Sequence, residues 1–172
     1  MSTMTKQTVP VRWVVMGVSG CGKSSIGLQL ASALHAPFLE GDNYHSYANV
    51  AKMTAGVPLT DSDRADWLLA LHEEIHAARV RQASVVISCS ALKRRYRDLL
   101  RSADPALRFA HLQGPREVIE ARMQARPDHY MPASLLDSQL ASLEPLQADE
   151  AGIVLDLRRE PAVLVQEILQ SQ

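Results

Sequence analysis

The chain has 172 residues, enough for one well-buried domain and too few for two ordinary ones. Apolar residues make up 47% and charged residues 22%, globular usage that argues against disorder or a fibre, and the formal net charge of −1 gives the whole chain no electrostatic reason to seek nucleic acid or anionic lipid. Two cysteines, Cys21 and Cys89, lie outside any Cys-x-x-Cys pattern and are too few for a disulfide framework; with no leader-like N-terminus and no run near the roughly 18 apolar residues of a membrane span, a cytoplasmic protein is expected.

Short β-branched or apolar runs alternate with longer stretches of helical period, which predicts a single α/β domain over residues 1–172 with a mostly parallel five-stranded sheet. The first strand is expected at 11–16, followed by a helix at 24–34, a short strand near 37–39 and a helix at 47–55. A longer helix opens at Thr60, where Asp63 three residues on has capping-box spacing, and Trp67, Leu68, Leu71, Ile75 and Ala78 recur on its core face. Strands at 84–88, 108–112 and 153–157 then alternate with helices at 93–102, 115–126, 133–143 and 162–169. No internal repeat or linker divides the chain.

Between the first strand and the first helix runs Gly17-Val18-Ser19-Gly20-Cys21-Gly22-Lys23-Ser24, which matches the phosphate-binding loop G-x-x-x-x-G-K-[ST] in the context that motif requires. Its glycines let successive N–H groups turn toward phosphate oxygens, and the next helix adds its positive dipole end. Lys23 is expected to reach the β- and γ-phosphates and Ser24 to place its hydroxyl on Mg²⁺, with Ser25 completing the nucleotide-binding set. ATP and Mg²⁺ are the implied cofactors.

The residues after the loop narrow the class. A nucleotide-hydrolysing switch needs a magnesium-linked aspartate at a strand end, but the third strand ends Ile87-Ser88-Cys89-Ser90, and no Asn-Lys-x-Asp guanine-reading motif occurs. A carboxylate does follow the second strand in Glu40-Gly41-Asp42, where Asp42 would face the loop across the sheet edge and could take a proton from an acceptor hydroxyl. Arg122 and Arg126, four residues apart on one expected helical face, resemble a clamp on the transferred phosphoryl group. Arg126-Pro127, a short loop with His129 and the helix after Pro132 read as a helical lid over about 122–145.

At this point the chain resembles the gluconate kinases, a branch of the P-loop small-molecule kinases related to shikimate and nucleoside monophosphate kinases. The resemblance runs through Gly17-Val18-Ser19-Gly20, Glu40-Gly41-Asp42 with His45, Asn49 with Lys52-Met53, Gly56, Pro58-Leu59, Asp61, Asp63-Arg64 and Trp67-Leu68. It continues through Cys89-Ser90-Ala91-Leu92-Lys93, Tyr96-Arg97-Asp98-Leu99-Leu100-Arg101, Ser138-Gln139 and Leu143-Glu144-Pro145. It implies a three-layer P-loop kinase fold, ATP- and Mg²⁺-dependent phosphorylation of D-gluconate at its 6-hydroxyl, a homodimer, and base contacts near 156–161.

A polyhydroxy carboxylate needs cations and hydrogen-bonding groups, and His45, Arg64 and Lys93 are the candidates beside Asp42: Arg64 for the carboxylate, Lys93 as a point charge, His45 for a hydroxyl. Trp67 is assigned to the core rather than the site. Ser46 and Leu146 stand where the family usually has Pro, and Cys21 where it has Ser, at a position that acts through its backbone N–H. A kinase for another small hydroxy acid such as shikimate, and a non-catalytic nucleotide-binding module, are the rival readings. RNA binding through Lys93-Arg94-Arg95-Tyr96-Arg97 is disfavoured, because the basic residues alternate with Leu92, Tyr96 and Leu99 as on an ordinary amphipathic helix with a solvated face.

Overall fold

A computed structural model describes residues 8–126 and 132–172. Five strands, β1 (Arg12–Met16), β2 (Phe38–Glu40), β3 (Val85–Ser88), β4 (Arg108–Gln113) and β5 (Gly152–Asp156), form one sheet in the order β2-β3-β1-β4-β5. Every pairing is parallel, so the expectation of a mostly parallel sheet resolves to a wholly parallel one. The Val-rich strands are buried because both sheet faces are covered. Trp13 and Val15 point into the layer with α1 (Lys23–Ala33) and α7 (Pro161–Gln170), whereas Val14 and Met16 point into the layer with α3 (Asp61–Val80) and α4 (Arg94–Ala103). The result is a three-layer P-loop kinase fold.

Helices α2 (Tyr47–Thr54), α5 (Arg116–Gln124) and α6 (Ala133–Ser142) and a single 3-10 turn at Gly41–Tyr44 complete the elements of the described residues. Local chemistry sets two helix starts on the site side. Thr60 and Asp63 form the full reciprocal capping box of α3, and the Ser46 hydroxyl accepts from Asn49 N at the start of α2. Ser46 therefore contributes a cap that a proline at this position has no side-chain oxygen to make.

Two expectations are corrected. Helix α5 ends at Gln124, so Arg126 lies beyond it and does not share a helical face with Arg122. The basic stretch at the start of α4 is not wholly a solvated face: Arg97 is 0% exposed, donates to Glu150 at 2.7 and 3.0 Å, and binds the carbonyls of Ala91, Leu92 and Pro145. That burial is sustained by pairing and by saturation of the guanidinium donors, and it ties the segment after α6 to the segment after β3. Among the described residues, no helix is long and apolar enough to cross a membrane.

Candidate active site

The site lies at the carboxyl edge of the sheet, where β1 runs into the phosphate loop between its neighbours β3 and β4. Gly20 and Gly22 take φ of 80° and 96°, values that L side chains rarely adopt, and these turn the loop back over the start of α1. Lys23 Nζ donates to the carbonyl oxygens of Gly17 and Val18 at 3.0 Å each. The cation thus spans the loop it is expected to serve, close to where phosphates would lie. Ser24 Oγ donates to Glu40 Oε2, and Ser88 Oγ donates to Glu40 Oε1 at 2.5 Å.

Glu40 was missed as a site residue by sequence reasoning. The third strand lacks a terminal acid, but β2 pairs with β3 in the register Glu40↔Ser88 and delivers the carboxylate from next door. Gly41 makes that approach possible, since a Cβ there would sit 2.0 Å from the Ser88 carbonyl oxygen. Its N–H also donates to Ser88 Oγ at 3.1 Å. The signal was present in the triplet Glu40-Gly41-Asp42; its pairing partner was not.

Two cavities open on either side of Lys23. The first, about 300 Å³, is lined by Gly20, Gly22, Ser24, Glu40 and Arg126; the second, about 60 Å³, by His45, Arg64, Trp67, Ser138 and Gln139. Ser19, Lys23 and Asp42 line both. A third cavity, behind the loop, is lined by Cys21, Ser25, Arg122, Arg126, Leu157 and Arg159. Arg122 Nη2 donates to the Leu157 carbonyl at 2.7 Å. The two arginines expected to act as a pair thus meet at the third cavity, while Arg126 alone also lines the first.

Within the second cavity the side chains brace one another. Trp67, only 2% exposed, donates Nε1–H to the Gly41 carbonyl at 2.8 Å and stacks on His45 with ring centroids 4.2 Å apart. Trp67 is both core and site wall, a dual use that the core pattern of α3 concealed. Burial, opposed in part by the Asp42 charge, lowers the His45 pKa from its usual 6.5, so the ring is neutral near pH 7. Its Nδ1 lies 3.3 Å from Asn49 Nδ2, which also donates to the Asp63 carbonyl.

Arg64 donates to the Tyr96 hydroxyl at 3.1 Å, and that hydroxyl donates to Asp61. Lys93, in contrast, bonds Asp61 at 3.2 Å and does not line the cavity with Arg64. Cys89, fully buried, has its thiol pushed up to about 12 mainly by burial, which makes it an inert wall rather than a nucleophile. The expected loop with His129 lies outside the described residues.

A phosphate loop at a parallel sheet edge, with a donor-sized cavity on one side and a smaller polar cavity on the other, defines a P-loop kinase of small molecules. The comparisons agree and go further. Residues 13–146 match the family model described as an AAA domain. The thermosensitive gluconokinase of Escherichia coli (strain K12) is 42% identical over 160 residues, covering 92% of this chain and 86% of that protein. Among solved structures, a gluconokinase from Sinorhizobium meliloti 1021 superposes with a TM-score of 0.87 at 44% identity, covering 96% of this chain and 93% of that one. A sugar kinase from Janibacter sp. HTCC2649 reaches a TM-score of 0.89 at 51% identity, covering 94% and 93%. The chain belongs to the gluconokinase family.

Proposed function

We propose that the protein transfers the γ-phosphoryl group of ATP to the 6-hydroxyl of D-gluconate, forming 6-phosphogluconate and ADP. The observation that carries this reading is the sharing of Ser19, Lys23 and Asp42 between the two cavities. A transferred group must pass where donor and acceptor meet, and these residues line the space on both sides of that point.

In this reading the glycine-rich loop binds the phosphates through its N–H groups, and Lys23 leaves the Gly17 and Val18 carbonyls for the β- and γ-phosphates. Asp42 accepts the proton of the 6-hydroxyl as the oxygen attacks γ-phosphorus and the bond to the β,γ-bridging oxygen breaks. Lys23 and Arg126 offset the charge that builds on the departing ADP. Arg64 holds the gluconate carboxylate, and neutral His45 orients a hydroxyl against the Trp67 wall. Lys93 acts through Asp61, supporting the Tyr96 hydroxyl that meets Arg64.

Mg²⁺ fits the donor set, because Ser24 Oγ and the Glu40 carboxylate it contacts are hard oxygen ligands beside the phosphate loop. Bound with ATP, the ion would neutralise phosphate charge. No group of three or more His, Cys, Asp or Glu side chains suited to hold a metal occurs among the described residues, in keeping with an ion that takes most of its ligands from phosphate and water. The base would stack in the third cavity against Leu157 and Arg159. The proposal extends to one kinase domain with a lid over about 122–145, to a homodimer and to cytoplasmic residence; the last is supported by two buried free thiols.

The test is ADP formation from ATP and Mg²⁺ with gluconate, shikimate and other sugar acids offered in turn. Gluconate-dependent turnover is expected. Turnover with another acid but none with gluconate would overturn the choice of acceptor.

A further inference from the structure

The ring of His45 is held by side chains of two neighbouring helices. Trp67 of α3 stacks on its face, with centroids 4.2 Å apart and an interplanar angle of 16°. Asn49 of α2, only 5% exposed, meets its edge: Asn49 Nδ2 lies 3.3 Å from His45 Nδ1 and donates to the backbone carbonyl oxygen of Asp63 at 2.7 Å. Both anchors are themselves held. The Ser46 hydroxyl accepts from Asn49 N at 3.1 Å, and Asp63 belongs to the capping box with Thr60 while its carboxylate accepts from Lys52 Nζ at 2.8 Å.

These contacts determine where the imidazole proton sits. A backbone carbonyl oxygen only accepts, so the Asn49 atom 2.7 Å from it is the amide nitrogen and not the amide oxygen. That nitrogen only donates, which leaves its second N–H for His45 Nδ1. Nδ1 must therefore offer a lone pair, and in a neutral ring the proton then belongs to Nε2. Burial, joined by the Arg64 charge, keeps the ring neutral against the pull of Asp42. His45 lines the acceptor cavity and its Nε2 has no hydrogen-bond partner among the described residues, so Nε2–H is the group it has to present there.

We propose that Asn49 is a positioning residue that locks His45 as a hydrogen-bond donor to the sugar-acid acceptor and denies it the role of base. This rests on the reading of the acceptor cavity given above. Were Nδ1 protonated instead, the bare Nε2 would be a second proton acceptor in the cavity that Asp42 also lines, and a hydroxyl could bind by giving its proton to the wrong partner. With Nε2–H in place, Asp42 alone takes the proton, while His45 and Arg64 both donate and so select oxygens that offer lone pairs, hydroxyl or carboxylate. Tying α2 to α3 needs only the bond to the Asp63 carbonyl; the second N–H of Asn49 serves the ring.

Asn49→Asp reverses the polarity at this edge, because a carboxylate accepts where the amide donated, so Nδ1 is expected to carry a proton. Its gluconate-dependent kcat/KM is expected to fall about 10-fold or more, since the acceptor loses a correctly polarised partner. Asn49→Ala removes the donor without supplying an acceptor, and its gluconate KM is expected to rise about 5-fold. In a His45→Gln background there is no ring to orient, so adding Asn49→Ala is expected to change that KM by less than about 2-fold.

The experiment records nitrogen NMR spectra of the full chain carrying 15N-labelled histidine at neutral pH, with the His45 signals identified by their loss in His45→Gln, and measures kcat and KM for gluconate. Thermal melts verify folding. A neutral Nε2–H ring in wild type, a protonated Nδ1 in Asn49→Asp and the fall in kcat/KM together support the proposal. A wild-type ring protonated on Nδ1 overturns it, as does a folded Asn49→Asp that keeps the wild-type spectrum. So does a folded Asn49→Asp with a protonated Nδ1 and wild-type kinetics, since the place of the proton would then not matter to the acceptor. Should Asn49→Asp misfold, the cycle of Asn49→Ala with His45→Gln decides: a penalty that vanishes without His45 supports the role, and additive penalties overturn it by placing the effect in helix packing. If wild-type protein fails to use gluconate, the proposed function fails while the spectra still decide which nitrogen Asn49 leaves protonated.

Discussion

On the donor side a single eight-residue stretch supplies nearly everything, and it does so with backbone: three glycines at positive φ, a helix start, and one lysine folded across the loop. The acceptor side is assembled from side chains of four separate segments, with Asp42 and His45 near one another in sequence but Arg64, Trp67, Ser90 and Gln139 brought in from α3, the turn after β3 and α6. Backbone sites depend on conformation and tolerate changes of side chain, as Cys21 in the loop illustrates. Side-chain sites depend on which residue stands where, so specificity should concentrate there while affinity for nucleotide should not.

That contrast is broken most severely at Lys23, the cation that spans the donor-side loop. Lys23→Ala is expected to lower kcat about 10³-fold, because a charge aimed at the transferring group is lost in a partly dry site. Activity near wild type in a steady-state assay would remove the loop from its assigned chemistry. Asp42→Asn comes next, with kcat down about 10²-fold and ATP affinity nearly unchanged. An Asp42→Asn enzyme that turns over normally would leave proton removal to water or to another group.

The acceptor side predicts a different signature. Arg64→Lys retains charge but not the planar fork, and one Nη of Arg64 is already committed to the Tyr96 hydroxyl at 3.1 Å. Gluconate KM is expected to rise about 10-fold while the KM for ATP stays within about 2-fold, the worth of one charge-assisted hydrogen bond. Parallel rises in both constants would mean that the two cavities are not independent, against the comparison drawn above.

The same division explains what was legible in the sequence. Strand and helix order followed from the apolar runs, and the loop followed from its motif, because both are local properties of the chain. Asp42 and His45 were legible as neighbours of a strand end. Glu40 was passed over because its meaning depends on Ser88, 48 residues away on a neighbouring strand, and Trp67 because one face of an indole can complete a core while another walls a cavity. Arg97 shows the opposite error: a basic run looks solvated until Glu150, 53 residues later, is found to bury it. Pairings across such separations leave no periodic trace.

His111 tests the layer beneath the site. It is 1% exposed, lies opposite Met16 in the β1–β4 register, and its Nδ1 has no hydrogen-bond partner among the described residues. Burial, reinforced by the charges of Arg97 and Lys23, lowers its pKa to about 4. Because the folded pKa lies below the unfolded value of 6.5, the unfolded chain binds the proton more readily. The neutral ring is therefore tolerated above pH 6.5, and stability falls as pH drops from there toward 4, by about 2 kcal/mol between pH 7 and pH 5 from this group alone. Replacing His111 by Leu removes both the titration and an unsatisfied buried nitrogen, so denaturant melts of His111→Leu should fall less steeply between those two pH values. A variant as acid-sensitive as wild type would assign that loss to other groups and leave the floor of the phosphate loop without a pH-dependent member.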